Sequence, residues 1–373
     1  MIGLIVYLSG RSLLYTLFGG FNMNEKKLVF GLDIGTRSVT GIVGYKEGNS
    51  FHVEAHHSIP HDTRAMIDGQ VHDIEKVAET TKEVKSHLEH TLGQELKEVC
   101  IAAAGRVLVT SNVMVEHSFS SGVEITPDHV ASLEIMGVDQ ALSAITKGEY
   151  SNVKLHCVGY SVVKYYLNSY EITNLVGQKA TQIGANVLAT FLPQEVVDSL
   201  CSVIEKAGLQ LAGLTLEPIA ALQVAIPEQY RLLNIALVDI GAGTSDISLT
   251  KNGSVIAYGM LPIAGDEITE SLMQNYLLEF KVAETIKLKI LKNLNKTINF
   301  KDIMGNSHKI SGSEILDSIK PNLELLANQI ADKIIDLNGG KSPNAVFIVG
   351  GGGQFDYFTN FLAEKLQISP DRV

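Results

Sequence analysis

Two short stretches of this 373-residue chain carry the residue types that handle phosphate. Phe30 to Thr40 reads FGLDIGTRSVT, and Leu237 to Leu249 reads LVDIGAGTSDISL. In each, an apolar run ends in an aspartate, Asp33 or Asp239, followed by Ile-Gly. Small or hydroxyl residues come next: Gly35, Thr36 and Ser38 in the first, Gly241, Gly243 and Thr244 in the second. A further apolar run then leaves the turn, so the pattern predicts a β-hairpin closed by a tight glycine turn. Glycine lets backbone approach a ligand closely, and amides and small hydroxyls donate to phosphate oxygens. A carboxylate at the strand end suits a hydrated Mg²⁺, the usual companion of nucleotide phosphates. One such hairpin is weak evidence, because turns use Gly and Asp for their own reasons. Two copies in one chain predict two related halves facing one nucleotide across a cleft. The spacing matches neither the P-loop nor the GxGxxG dinucleotide turn.

Composition narrows the remaining classes. With 30 basic and 41 acidic residues the net charge is −11, which argues against nucleic acid as a partner. Cys100, Cys157 and Cys201 are far apart and form no metal or redox motif, which suits a reduced, cytoplasmic setting. His56, His57 and His61 flank Pro60 and read as solvated loop histidines rather than metal ligands. No Ser/His/Asp or Cys/His array competes with the phosphate hairpins. The apolar stretch Met1–Phe18 is broken by Ser9-Gly10-Arg11-Ser12, unlike a membrane anchor or signal peptide. Residues 1–22 are read as an extension ahead of a natural start at Met23.

The elements that must position the hairpins follow from periodicity. Helical spacing runs from Ile74 to Leu92, and Val99 to Ala104 reads as a buried strand. Between Val107 and Asn186 the character changes to four strand-like runs around one helix, Pro127 to Ile145, capped by Thr126. That stretch reads as a small α+β insert. A helix from Pro193 to Ala207 and a strand to Leu216 return to the first half, and Glu217-Pro218 opens a helix joining the halves. A helix from Ala264 carries on to Phe280. The lysine-rich helix after it, with Lys281, Lys287, Lys289 and Lys292, reads as a solvated face. Ala345–Val349 is a strand running into Gly350-Gly351-Gly352-Gly353, where bare backbone can press on a flat ligand. Ser369–Val373 reads as the lead-in to one more strand.

DIGTRSV, EPIAAL, DIGAGTSD, AETIK and VGGGG, in this order, resemble the actin-like ATPase superfamily of actin, DnaK-type chaperones and sugar kinases. Within it the chain is similar to the FtsA family of bacterial cell-division proteins, from about Lys27 onward. The resemblance implies an α/β, actin-like fold: two ribonuclease-H-like halves around a nucleotide cleft, with a small α+β inserted subdomain. The halves then fall at 23–106 with 187–222 and at 223–262 with 338–373. The insert is 107–186, and a helical subdomain for the base is 263–337. Carried over, Asp33, Gly35, Thr36 and Ser38 match the first phosphate motif, and Asp239, Gly241, Gly243 and Thr244 the second. Glu284 and Lys287 match the helix that touches ribose and adenine; Gly350, Gly351 and Gly352 match the adenosine motif. Glu217 matches the residue that positions the attacking water.

The implied cofactors are ATP and Mg²⁺, the ion held through water by Asp33 and Asp239, with slow hydrolysis. The implied partners are further copies of the chain and a tubulin-like division protein. FtsA proteins end in a linker and an amphipathic membrane helix that this sequence lacks. Membrane contact is therefore expected only indirectly or through a missing C-terminal segment, at the inner face of the cell membrane. A PilM-like pilus assembly ATPase is the nearest alternative. A DnaK-type chaperone and a small-molecule kinase stand further off.

Overall fold

A computed structural model describes residues 27–48, 50–103, 108–148 and 150–373. The expectations for residues 1–22 lie outside the described residues. The chain opens with β1 (Val29–Ile34), β2 (Ser38–Glu47) and β3 (Ser50–Pro60), followed by the short pair β4 (Met66–Ile67) and β5 (Gln70–Val71). Helix α1 (Ile74–Leu92) starts where Asp73 accepts from the Lys76 amide and stops at Gly93 in the left-handed region. Strand β6 (Glu98–Ala103) follows, then β7 (Val109–Glu124), α2 (Pro127–Thr146), β8 (Leu155–Leu167), β9 (Tyr170–Ile172) and β10 (Lys179–Pro193). Next come α3 (Gln194–Lys206), β11 (Gln210–Leu216), α4 (Glu217–Ala225), β12 (Ile235–Ile240), β13 (Ser245–Lys251) and β14 (Ser254–Leu261). The rest is α5 (Gly265–Tyr276), α6 (Phe280–Lys292), β15 (Thr297–Lys301), β16 (Ser307–Ser311), α7 (Gly312–Leu337), β17 (Ala345–Val349) and α8 (Asp356–Leu366).

Two sheets repeat one plan. In the first, the order is β11-β6-β1-β2-β3; in the second, β14-β13-β12-β17. Each central strand, β1 or β12, pairs antiparallel with the strand after its DIG turn and parallel with a later strand, β6 or β17. The first sheet packs its apolar side on α1 and α3 through Val84, Leu88, Leu200 and Val203. The second packs on α5 to α8 through residues such as Ile268, Ile286, Ile330 and Phe358. Each half therefore buries its own core, and α4 lies between them. Ala220 of α4 packs with Cys100 and Ala102 of the first sheet, and Leu222 with Ile235 and Leu237 of the second. Ser248 of β13 donates its hydroxyl to the Pro218 carbonyl at 3.0 Å.

A third sheet, β7-β10-β8-β9, has its own core against α2, built on Leu133, Ile183 and Val187. Gly137 allows α2 this approach, since a Cβ there would overlap Val187. The sheet also touches the second half, where Ser161 of β8 donates to the Val255 carbonyl at 3.4 Å.

Several local expectations are corrected. Leu155–Val163 and Tyr165–Leu167 are one strand, continuous through a bulge opposite the Asn186/Val187 step. The helix expected to run from Ala264 to Phe280 breaks at Leu277, a left-handed residue with φ 52°, and a second helix begins at Phe280. A β-hairpin, β15–β16, lies where only helices were read. The terminal segment contains a 3₁₀ turn, Pro370–Arg372. No helix among the described residues is long and apolar enough to cross a membrane.

Candidate functional site

The two DIG turns are built alike to the level of individual hydrogen bonds. In the first, the Gly35 amide donates to the Ser38 carbonyl at 3.1 Å; in the second, Gly241 donates to Thr244 at 2.9 Å. A Cβ at either glycine would crowd that same carbonyl, at 3.3 and 3.2 Å. The aspartates leave equivalent strand ends, Asp33 opposite Thr40 and Asp239 opposite Asp246. The two turns nearly touch. At Gly243 a Cβ would sit 3.0 Å from the Thr36 hydroxyl and from the Asp68 backbone. Asp68 and Gly69, both at positive φ, make the two-residue turn of the β4–β5 hairpin, and the Gly69 amide donates to Thr36 Oγ1 at 3.0 Å.

Between the turns lies a cleft of about 680 Å³. Asp33, Gly35, Thr36 and Ser38 line it from one side, Asp239, Gly241 and Thr244 from the other. Glu217 at the start of α4, Glu284 and Lys287 of α6, and Gly350, Gly351 and Gly352 after β17 complete it. Of the residues singled out from sequence, only Gly243 stands outside the lining, spent on the contact between the turns.

Four carboxylates gather around this space: Asp33, Glu217, Asp239 and Asp246. Burial pushes the Glu217 carboxyl well above its usual range, and the charges of Asp33, Asp246 and Asp239 add to it. Burial likewise raises Asp33 and Asp239, and lifts Asp246 to about 8 with Asp239 contributing. None of the four makes an ion pair among the described residues. An acidic cluster without a cation fits a divalent ion. No three His, Cys, Asp or Glu side chains among the described residues are grouped to hold a metal directly. The donor set therefore fits a hydrated ion better than a chelated one. Asp246 was not singled out from sequence, although it lies in the quoted DIGAGTSD and the hairpin register sets it opposite Asp239.

The second turn is tied to the helices beyond it. Gly265 and Asp266, the first residues of α5, donate their amides to the carbonyls of Gly241 and Ala242 at 3.1 and 2.8 Å. Lys287 does not share the solvated face expected of this lysine-rich helix; it is 7% exposed. Its ammonium donates to the Gly265 carbonyl at 2.9 Å and the Thr269 hydroxyl at 2.8 Å, and pairs with Glu284 at 2.8 Å. An ammonium has three donors, and these three acceptors use them. Lys287 thus fastens α6 to the start of α5. Burial acts to raise the Glu284 carboxyl, but Lys287 and the Thr269 hydroxyl outweigh it and hold the group below its usual value.

The tetraglycine has an internal reason as well as a ligand-facing one. A Cβ at Gly350 would overlap the Asp239 carboxylate and the Ile240 carbonyl, at Gly352 the Ile240 side chain, and at Gly353 that of Ile348. The loop lies flat on the end of β12, and the Gly352 amide donates to the Ile240 carbonyl at 2.8 Å. Gly351 alone has open space beside it. His56 and His57 belong to strand β3 rather than a loop. His61 supports the first turn, its Nε2 3.2 Å from the Gly35 carbonyl, and burial lowers its pKa.

Comparison with known proteins fits this geometry. A PilM–PilN type IV pilus biogenesis complex superposes with a TM-score of 0.65 at 20% identity, over 92% of this chain and 87% of that one. MreB5 of Spiroplasma citri bound to ADP superposes at 0.50 and 16% identity, over 91% and 90%. The fold is that of the actin-like ATPases. Family models match in two places: cell division protein FtsA over residues 236–369, and type IV pilus assembly protein PilM over 31–126. The cell division protein FtsA of Pseudomonas aeruginosa is 24% identical across 72% of this chain. The actin-like chain is thus FtsA-like in sequence, and it spans 62% of that relative's length.

Proposed function

We propose that this FtsA-like chain binds Mg·ATP between its two DIG turns and assembles in an ATP-dependent way as a cell-division protein. The observation that carries the reading is the pair of equivalent turns, each closed by a glycine amide on the carbonyl three residues on, meeting over a cluster of carboxylates. Asp33 and Asp239 would hold Mg²⁺ through water, and the ion would supply neutralisation of phosphate charge. Turn amides and the hydroxyls of Thr36, Ser38 and Thr244 take the phosphate oxygens. The backbone at Gly351 and the faces of Glu284 and Lys287 border the base and ribose. Glu217, at the first turn of the helix between the halves, orients the attacking water, since phosphoryl transfer needs a placed nucleophile more than covalent help. Further copies of the chain and a tubulin-like division protein are the partners of this reading, with the insert at 107–186 as the partner-facing part. That MreB5 was solved with ADP supports an adenine nucleotide in this fold.

Calorimetry tests the core of the reading. Asp239→Ala should weaken Mg·ATP binding far more than binding of ATP in a chelator. Equal losses in both, or no saturable binding by the unaltered chain, would refute it. The PilM match over 31–126 and the 0.65 superposition support a second reading, a pilus assembly ATPase. Depletion in the host separates the two: filamentous, undivided cells favour the first, and normal division with lost pili the second.

A further inference from the structure

Side chains of the two halves meet beside the cleft, and of these only Arg37 belongs to its lining. Arg64, just after β3, pairs with Glu270 of α5 at 3.0 Å. Its guanidinium carbon lies 5.4 Å from the ring centre of Phe280, the first residue of α6. Arg37, in the first DIG turn, reaches the same ring at 4.5 Å and pairs with Asp266. Asp266 and Glu270 stand four residues apart on α5, so one helix face presents both acids to the opposite half. Two arginines of the first half are thus held by two carboxylates and one ring of the second.

We propose that Arg64, Glu270 and Phe280 form a clasp across the cleft mouth that sets the rate of nucleotide exchange, with Arg37–Asp266 as its inner bar. This rests on the reading of the cleft as a nucleotide site. The arrangement suits a rate-setting device rather than a seal. Arg64 and Glu270 are half exposed, with side chains 51% and 42% accessible, so their attraction is modest and screened by salt. Asp266 is largely buried, which keeps the inner bar in register while the outer one opens. Phe280 makes the two bars interdependent, because both guanidinium groups use its ring. A ligand between the halves leaves only when the clasp parts, whereas its contacts inside the cleft do not involve these three residues.

The test is release of a fluorescent N-methylanthraniloyl derivative of ATP from the full chain, chased with unlabelled ATP in a stopped-flow instrument. Arg64→Ala and Phe280→Leu should each speed release about 2- to 5-fold, the effect of losing one such contact. Association should quicken too, so that Kd moves less than either rate. Reversing the pair, Arg64→Glu with Glu270→Arg, should bring release back toward the original rate. Raising salt from about 0.05 to about 0.5 M should speed release from the unaltered chain and have less effect on Arg64→Ala. Unchanged release in both single variants, or a reversed pair as fast as Arg64→Ala, would overturn the clasp while leaving the nucleotide site intact. Absence of saturable binding to the unaltered chain would remove the nucleotide reading itself, and the clasp with it.

Discussion

Replacing Lys287 with methionine would remove one buried ammonium and leave its three acceptors behind. The Gly265 carbonyl and the Thr269 hydroxyl lose a donor, and Glu284 loses its cation. Breaking a buried ion pair from one side costs about 3–5 kcal/mol, chiefly because the remaining charge stays buried. Glu284 sets the pH dependence. In the unaltered chain its folded pKa is depressed, so its contribution is present above the unfolded value of 4.5 and is lost as pH falls through the lower folded value. Without Lys287 the burial of the carboxyl prevails and its folded pKa rises, so the variant favours the protonated acid. The deficit of Lys287→Met should therefore be largest near pH 7.5, begin to shrink as pH falls through the variant's raised folded value, above 4.5, and be lost below the depressed folded value of the unaltered chain. Urea denaturation at several pH values measures it. The double variant Glu284→Gln with Lys287→Met should recover at least about 2 kcal/mol, since two neutral partners leave no buried charge. Single and double variants equally unstable at pH 7.5 would refute the coupling. The double variant also separates two roles: if Lys287 only fastens α5 to α6, ATP affinity returns with stability, and if it touches the nucleotide, stability returns alone.

Glu217→Ala should slow phosphate release from ATP by about 10²–10⁴-fold, the usual worth of a positioned acid–base group, while calorimetric affinity for ATP stays level; normal turnover would remove the assigned role. Gly350→Ala should lower stability in thermal melts by at least about 1–2 kcal/mol from its positive φ alone, with the clash on Asp239 and Ile240 adding to it. Gly351→Ala should melt like the unaltered chain and change only nucleotide affinity, because its side is open. Equal melting of the two glycine variants would contradict the packing described.

The parts of the site legible in the sequence are those built from neighbouring residues. Each DIG turn closes on itself within four residues, so its aspartate, glycine and hydroxyls are readable as a string. Helix α1 was legible in full because Asp73 and Gly93 mark its ends locally. The cross-cleft partners were not. Arg37 meets Asp266 from 229 positions away, and nothing near either residue announces the other. Lys287 looked like one lysine in a solvated row because its acceptors, Gly265 and Thr269, come from the preceding helix. The break at Leu277 is not legible because a leucine carries no left-handed preference; the turn is closed by the Leu278 amide on the Met273 carbonyl, with Leu278 buried beyond it. Asp246 was available to a register argument, since a tight hairpin that starts at Asp239 must return opposite it.

Strand β10 runs unbroken for 15 residues, from the outer end of the third sheet to the root of α3. At about 3.4 Å per residue that is a beam of about 50 Å. Its inner end is set in the first core through Leu192, while its neighbour β8 leans on β14 of the second half through Ser161. Such a beam converts angle into distance. A turn of the halves by about 5° about α4, acting at the root, would carry the far end by about 4 Å, nearly the spacing of two strands. A contact made at that end would be gained or lost on a motion too small to disturb either core.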